Sequence, residues 1–312
     1  MMWDKLNTLG QNRTPFLVIS DFEAKELVSI PLEELSHHDI EFCINEKYVY
    51  KPHSYQLKKS PVDFNTYKQK FDYVQEKIKA GDTYLLNLTT QTPVECSLSL
   101  KEIFTHSNAH YKLRYKDEFV CFSPEKFIQI NKNKIHTFPM KGTIDSSIKD
   151  AQNIILANEK EMAEHIMVVD LLRNDLSIVA QNVKVNKFRY ISKVDAGNKK
   201  LLQVSSDISG DLQENWHAKI GDILKKLLPA GSISGTPKKS TLQIIKDIEK
   251  YQRGFFTGIF GVYDGHSFDS GVMIRFIQKQ KNKYIYKSGG GITLESCAKS
   301  EYKEMLDKIY IP

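Results

Sequence analysis

The chain has 312 residues, enough to bury a large core, and its 41% hydrophobic and 26% charged content is ordinary for a globular protein in water. No apolar run approaches the ~20 residues of a membrane span, and Met1 to Ile19 lacks the basic-then-apolar order of a secretory signal. The net charge of +6 is scattered over short clusters such as Lys199-Lys200 and Lys225-Lys226, with no aromatic-interleaved basic stripe. That pattern excludes nucleic acid as the expected partner and favours a small anion.

Residues 14 to 60 give short apolar pieces, Phe16 to Ile19 and Tyr48 to Tyr50, between polar loops. Tyr67, Phe71, Val74 and Ile78 recur at helical spacing, with Gly81 placed to close the helix. Thr83 to Val94 reads as a strand, residues 101–106 as a short helix, and Glu118 to Phe122 as strand. Phe127 to Thr137 reads as a hairpin turning at Asn131 to Asn133. From Asn158 to Leu176 the pattern is helical, with Met162, Ile166 and Val169 on one face and Asn158 and Glu161 spaced as a capping box. Strands follow at Val183 to Val194 and Leu201 to Ser209, then a helix through Ile220, Ile223, Leu224 and Leu227 stopped by Pro229. Thr236-Pro237 predicts the N-cap and first turn of a helix over Lys239 to Tyr251. A meander of Phe255 to Tyr263, an Asp264-Gly265 turn, Ser270 to Gln280 and Tyr284 to Lys287 precedes a last helix from Ala298 to Lys308. Strands grouped in meanders with helices between them predict an α+β fold.

The chemistry centres on Lys141, in Pro139-Met140-Lys141-Gly142-Thr143 after the hairpin. At an unshifted pKa of ~10.4 only about one lysine in a thousand is unprotonated near pH 7.4, so a nucleophilic role needs desolvation or a cationic neighbour. Glu125, at the start of the hairpin, is a candidate acid to set against that amine. Glu161 with Glu164, and Glu301 with Glu304, are spaced i, i+3, which puts each pair on one helix face. Four carboxylates suit Mg2+ with retained waters better than zinc; Glu161 also fits a plain capping role and Glu301 a plain ion pair. Ser288-Gly289-Gly290-Gly291-Ile292 is either a flexible turn or a cradle of N–H groups for an anion. Arg275, next to Val272-Met273-Ile274, needs a partner, and a ligand carboxylate is a fair one. Gly231 to Lys238 fails the phosphate-loop spacing because Pro237 interrupts it. The four cysteines, Cys43, Cys96, Cys121 and Cys297, form no metal spacing and suit reduced thiols in the cytoplasm.

Taken in order, these segments resemble the chorismate-utilising enzymes from about Tyr67 to Lys308. The motifs that carry the likeness are Ser123-Pro124-Glu125, Pro139 to Thr143, Glu161-Met-Ala-Glu164-His165 running into Val169 to Asp175, Pro229 to Lys238, Arg253-Gly254, Ile274-Arg275, the glycine run, and Glu301 with Glu304. Within that family the aminodeoxychorismate synthase component I branch carries lysine at the position of Lys141, where anthranilate synthases carry alanine. Isochorismate and salicylate synthases carry a base lysine where this chain has Leu85, which cannot activate water.

The resemblance implies the chorismate-utilising fold, two packed antiparallel sheets with helices outside. Residues 1–60 would form a short strand-and-loop region on a chorismate-binding catalytic domain over 61–312. It implies that Lys141 attacks the ring of chorismate while Glu125 protonates the departing hydroxyl, and that ammonia then displaces the lysine to give 4-amino-4-deoxychorismate. Glu164 and Glu304, with Glu161 and Glu301 behind them, would hold Mg2+. Gly142, Thr143, Gln203, Ser232, Arg275, Gly289, Gly290 and Gly291 would bind substrate. Gln203 stands where many relatives have histidine, and Phe256 where they have tyrosine. Ammonia is expected from solution or from a separate glutamine amidotransferase subunit. The competing expectations are anthranilate synthase component I and a chorismate-binding subunit without turnover.

Overall fold

The computed structural model describes residues 2–45, 54–196 and 199–312, so the apolar piece at 48–50 lies outside the described residues. The chain divides into two compact units, each drawn from three separate stretches and each built on its own antiparallel sheet.

The first unit comprises Met1–Leu35, Glu125–Ser232 and Gly258–Val272. Its described sheet has nine strands in the order Met140–Asp145, Lys199–Asp211, Lys134–Thr137, Lys126–Asn131, Phe268–Val272, Ile259–Tyr263, Phe16–Ser20 and Leu27–Pro31, with Gln181–Ala196 paired to the other side of Lys199–Asp211. The Lys126–Asn131 and Lys134–Thr137 hairpin matches the expected one, as does the turn after Tyr263, where Asp264 Oδ1 accepts from the N–H groups of His266 and Ser267. The Glu159–Ser177 helix starts as expected, Asn158 Oδ1 accepting from Glu161 N at 3.0 Å. Its buried face includes Val169, as expected, but not Ile166. His165, Val168, Leu171 and Leu172 point into the core, whereas Ile166 is 49% exposed. Ile166 lines an open groove of about 610 Å3 with Phe188, and the buried Val169 reaches the groove wall. Helices Met2–Gln11 and Ala151–Ala157 are additions to the sequence reading.

The second unit comprises Ser36–Pro124, Ile233–Thr257 and Met273–Pro312. Its described sheet has eight strands, ordered Gly235–Thr236, Leu85–Cys96, Lys283–Ile292, Phe276–Gln280, Phe119–Ser123, Tyr111–Tyr115 and Ile40–Ile44, with Leu57–Lys59 paired to Leu85–Cys96. The Phe64–Lys79 helix buries Tyr67, Phe71, Val74 and Ile78, is capped by Asp63, and is followed by Gly81 at φ +79°. The Lys238–Glu249 helix packs on Leu85–Cys96 and the Ala298–Asp307 helix on Lys283–Ile292. The cap of Lys238–Glu249 is Pro237, one residue later than expected.

Two strand assignments change. The expected continuous strand from Ser270 to Gln280 is two strands, Phe268–Val272 in one sheet and Phe276–Gln280 in the other. The break is at Arg275, whose φ of +53° takes it out of any ladder. The glycine run is not a turn after a strand but the last part of one, Lys283–Ile292. Among the described residues no helix is long and apolar enough to cross a membrane.

Candidate active site

Lys141 owes its position to a bulge. Met140–Asp145 pairs with Lys199–Asp211, Met140 opposite Ser205 and Thr143 opposite Gln203, and the register slips between them. The slip is made at Lys141 and Gly142, the glycine taking φ +88°. An inserted residue re-aims its neighbour's side chain, and here the half-buried Lys141 Nζ comes 3.2 Å from Glu164 Oε2. Lys160 Nζ lies 3.8 Å from the other oxygen of the same carboxylate. A Cβ on Gly142 would stand 3.4 Å from Glu161 Oε2 and 3.3 Å from Ile155 Cδ1. Both glutamates of the first pair therefore face the bulge, as their spacing predicts, and Gly142 leaves room for them.

Beneath the bulge lies His165, which is fully buried. Its Nε2 is 2.7 Å from Ser206 Oγ, and the Ser206 N–H donates to Pro139 O at 3.0 Å, tying helix and bulge together. Burial, then the nearby positive charges of Arg189 and Lys141, push the imidazole down to about 4, so it is neutral at neutral pH. In the sequence His165 stands out only as a histidine next to a carboxylate pair.

Glu125 begins the hairpin, and its main-chain oxygen accepts from Val272 N at 3.0 Å. Its Oε1 accepts a short hydrogen bond from Ser232 Oγ. The Gly231–Ser234 turn that carries this serine presses on the Glu159–Ser177 helix so closely that a Cβ on Gly231 would come 2.6 Å from Asp175 Oδ2. Thr143 is exposed and Gln203 half-buried across the same ladder.

In the second unit, Gly289, Gly290 and Gly291 pair with Thr89, Leu88 and Asn87. Successive N–H groups of a strand point to opposite edges, so they do not converge as a turn's would. Phe276–Gln280 covers only Lys283 to Lys287 of the other edge, so it leaves 288–292 uncovered there. The glycines serve different ends. A Cβ on Gly289 would strike Leu88 O at 2.3 Å, whereas one on Gly290 would sit 3.5 Å from Glu301 Oε2, 3.6 Å from Glu304 Oε1 and 3.7 Å from Lys308 Nζ. Glu301 is 5% exposed, and Lys308 Nζ bridges Glu304 Oε1 at 2.6 Å and Gly289 O at 2.8 Å.

A buried network missed by sequence reasoning holds the strand opposite the glycines. Glu249 accepts from Arg253 at 2.6 and 2.8 Å, from Thr89 N at 2.9 Å and from Thr89 Oγ1 at 2.7 Å. Arg253 also donates to Asn87 O and Ile233 O. Burial pushes the neighbouring Lys287 down to about 8, and its Nζ donates to Arg253 O at 2.8 Å. Arg275 Nε is buried with no hydrogen-bond partner, and its guanidinium lies 5.6 Å from the ring centroid of Tyr310. Leu85 is 3% exposed within its strand.

Among the described residues no group of three or more Asp, Glu, His or Cys side chains is gathered closely enough to hold a metal. Each glutamate pair nevertheless offers hard oxygen donors, and each has a lysine ammonium on one carboxylate, Lys141 on Glu164 and Lys308 on Glu304. All-oxygen donors are of the kind that fits Mg2+.

Compared with known proteins, the chain matches the family model described as chorismate binding enzyme over residues 16–312. It is 49% identical over 313 residues to a Haemophilus influenzae protein named "Uncharacterized PabA-like protein", covering 99% of this chain and 95% of that one. It is 30% identical over 266 residues to aminodeoxychorismate synthase component 1 of Bacillus subtilis, covering 80% of this chain and 55% of the relative. In fold it is similar to the menaquinone-specific isochorismate synthase of Escherichia coli, at TM-score 0.73 and 15% identity over 97% of this chain and 79% of that one.

Proposed function

Because the chain belongs to the chorismate-binding enzyme family, we propose that it is an aminodeoxychorismate synthase component I, joining chorismate and ammonia into 4-amino-4-deoxychorismate on the way to 4-aminobenzoate and folate. The observation that carries this reading is the half-buried amine of Lys141, aimed by a glycine bulge at a carboxylate on the neighbouring helix. A bulge re-aims a side chain, and orientation is what a nucleophile needs. The buried, apolar Leu85 speaks against water activation at that position.

In the proposed reaction neutral Lys141 forms a bond to C2 of the ring, the ring double bonds shift, and the C4 hydroxyl leaves as water on a proton from Glu125. Ammonia then bonds to C4, the double bonds shift back, and the C2–N bond breaks to release the lysine. Ser232 orients Glu125. Gly142, Thr143, Gln203, Gly289, Gly290, Gly291 and Arg275 are assigned to the substrate and its two carboxylates. A carboxylate beside an ammonium favours the protonated amine, so Lys141 needs the charge of Glu164 engaged elsewhere before it can attack. We assign Glu161 and Glu164, and Glu301 and Glu304, as donors to Mg2+, which when bound supplies positive charge to Glu164 and to the ring carboxylate. Ammonia delivery is assigned to a separate glutamine amidotransferase. Cys43, Cys96, Cys121 and Cys297 form no disulfide with one another, in keeping with a cytoplasmic enzyme.

The test is a product assay with chorismate, Mg2+ and ammonium, followed by a lyase that releases 4-aminobenzoate. The expected product is 4-aminobenzoate; 2-aminobenzoate alone would make the chain an anthranilate synthase, and chorismate binding without product a silent subunit.

A further inference from the structure

Arg275 is held by a neighbour outside every motif quoted above. Its guanidinium lies over the ring of Tyr310 at 5.6 Å, within cation–π range, while its Nε is buried with no hydrogen-bond partner. Its backbone has left the ladder at φ +53°, with its carbonyl accepting from Phe122 N at 3.3 Å. A non-glycine residue in that region persists only where its surroundings impose it.

The backbone that carries this 37% exposed ring is fixed independently of the arginine. Tyr286 Oη donates to Tyr310 O at 3.0 Å, Tyr55 Oη to Ile311 O at 2.9 Å, and Asn108 N to Pro312 O at 3.1 Å, with Ile309 and Ile311 buried on either side. Tyr286 is itself fully buried, and burial raises its phenol far above neutral pH, so it remains a donor. An acidic partner would occupy the in-plane N–H groups of Arg275 and compete with any incoming carboxylate. An aromatic face takes the charge from above or below the plane and leaves those donors for a ligand.

We propose that Tyr310 is a positioning residue for Arg275 and, through it, a determinant of affinity for the enolpyruvyl carboxylate of chorismate. The inference rests on the substrate role given to Arg275 above, so its test reads binding rather than product. Equilibrium binding of chorismate, without ammonia, is measured for the wild type, Tyr310→Leu, Tyr310→Phe, Arg275→Ala and the double variant Tyr310→Leu/Arg275→Ala. A cation–π contact of ~0.5–2 kcal/mol predicts about 2- to 30-fold weaker binding for Tyr310→Leu. Tyr310→Phe keeps the ring and is expected to bind as the wild type. The double variant should bind no worse than Arg275→Ala, because the ring acts only through the arginine. In turnover the loss should fall on KM and spare kcat, as for an interaction made equally in ground and transition states. Wild-type binding by Tyr310→Leu alongside weak binding by Arg275→Ala overturns the role of Tyr310 alone. Unchanged binding by Arg275→Ala overturns the substrate role of Arg275 and this inference with it. Should Tyr310→Leu fail to fold, Tyr310→Gln repeats the comparison with a side chain of similar reach and no aromatic face.

Discussion

Lys141 Nζ and Glu164 Oε2 are 3.2 Å apart, an ion pair between a bulge and a helix that sit 23 residues from one another in the chain. Two functions, amine and metal ligand, are thus assigned to groups that neutralise each other in this structure. Glu164→Gln tests that coupling. Losing even an outer-shell partner costs about 10–100-fold in metal affinity, so loss of this carboxylate should raise the Mg2+ needed for half-maximal activity by at least about 10-fold. Glu304→Gln should behave alike. Full activity of both variants across a Mg2+ titration would remove the metal role from these glutamates.

Lys141→Ala removes the proposed nucleophile and leaves the fold, because the side chain is only half-buried and its neighbours on the bulge are kept. The expected loss in 4-aminobenzoate formation is about 1,000-fold or more, the scale seen when a covalent catalyst is deleted. Intact-protein mass spectrometry gives a second readout. Wild-type protein held with chorismate and Mg2+ but no ammonia should gain the mass of chorismate less one water, and Lys141→Ala should gain none. An adduct of unchanged yield on the alanine variant places the covalent chemistry elsewhere.

Much of the site was legible because local rules set it. The i, i+3 spacing put Glu161 and Glu164 on the face toward Gly142 and Lys141, and Asn158 caps the helix that carries them. What could not be read came from distant contacts. Nothing between Ser270 and Gln280 signals a break, since no glycine or proline follows Gly271 there; the positive φ of Arg275 is imposed by tertiary structure. The glycine run looked like a turn because glycine is a poor strand former, yet Gly289 is glycine because Leu88 O leaves no space for a Cβ. Of the periodic set Met162, Ile166 and Val169, Val169 is buried as expected, but Ile166 is exposed at a groove, and the helix also buries His165 and Glu164. Polar side chains buried by tertiary contacts defeat a rule built on hydrophobic burial.

Adjacent glycines should answer differently to the same substitution. In Gly289→Ala the new methyl meets a backbone oxygen at 2.3 Å, which cannot swing aside. Overpacking of this kind costs about 1–3 kcal/mol, and the thermal midpoint should fall. In Gly290→Ala the methyl finds its nearest neighbours at 3.5 to 3.7 Å, ordinary contact distances, so the thermal midpoint should stay near the wild type. That methyl would nonetheless fill the space over which Glu301, Glu304 and Lys308 gather, and turnover should drop. A stable, fully active Gly290→Ala would show that this space takes no part in binding.

Glu249 and Arg253 form a pair whose side chains are 1% and 2% exposed. The carboxylate also takes both donors of Thr89, so Glu249→Ala strands an arginine and a backbone N–H in the core. Breaking a buried pair from one side costs about 3–5 kcal/mol. Urea unfolding should report a loss of that size, and a loss below about 1 kcal/mol would mean that water replaces the carboxylate.

Acid should weaken the first unit through His217. Its ring sits between Tyr263 Oη at 2.7 Å on Nδ1 and Arg13 Nη1 at 2.5 Å on Nε2, stacked on Trp216. Tyr263 donates its own proton to Gly265 O, so Nδ1 carries the histidine proton and Nε2 accepts from Arg13. Burial, and then the charges of Arg13 and His266, hold the imidazole down at about 4, against a smaller opposing pull from Asp264. An unfolded histidine titrates near ~6.5, so between those values the unfolded chain binds a proton that the folded chain refuses. Stability from this group is present above pH ~6.5 and is lost as the pH falls toward 4. Urea unfolding across that window should show a wild-type slope steeper than that of His217→Gln by up to about 1.4 kcal/mol per pH unit, one proton's worth. Parallel slopes for the two proteins would mean that the ring is protonated in the folded state and that Arg13 turns away from it.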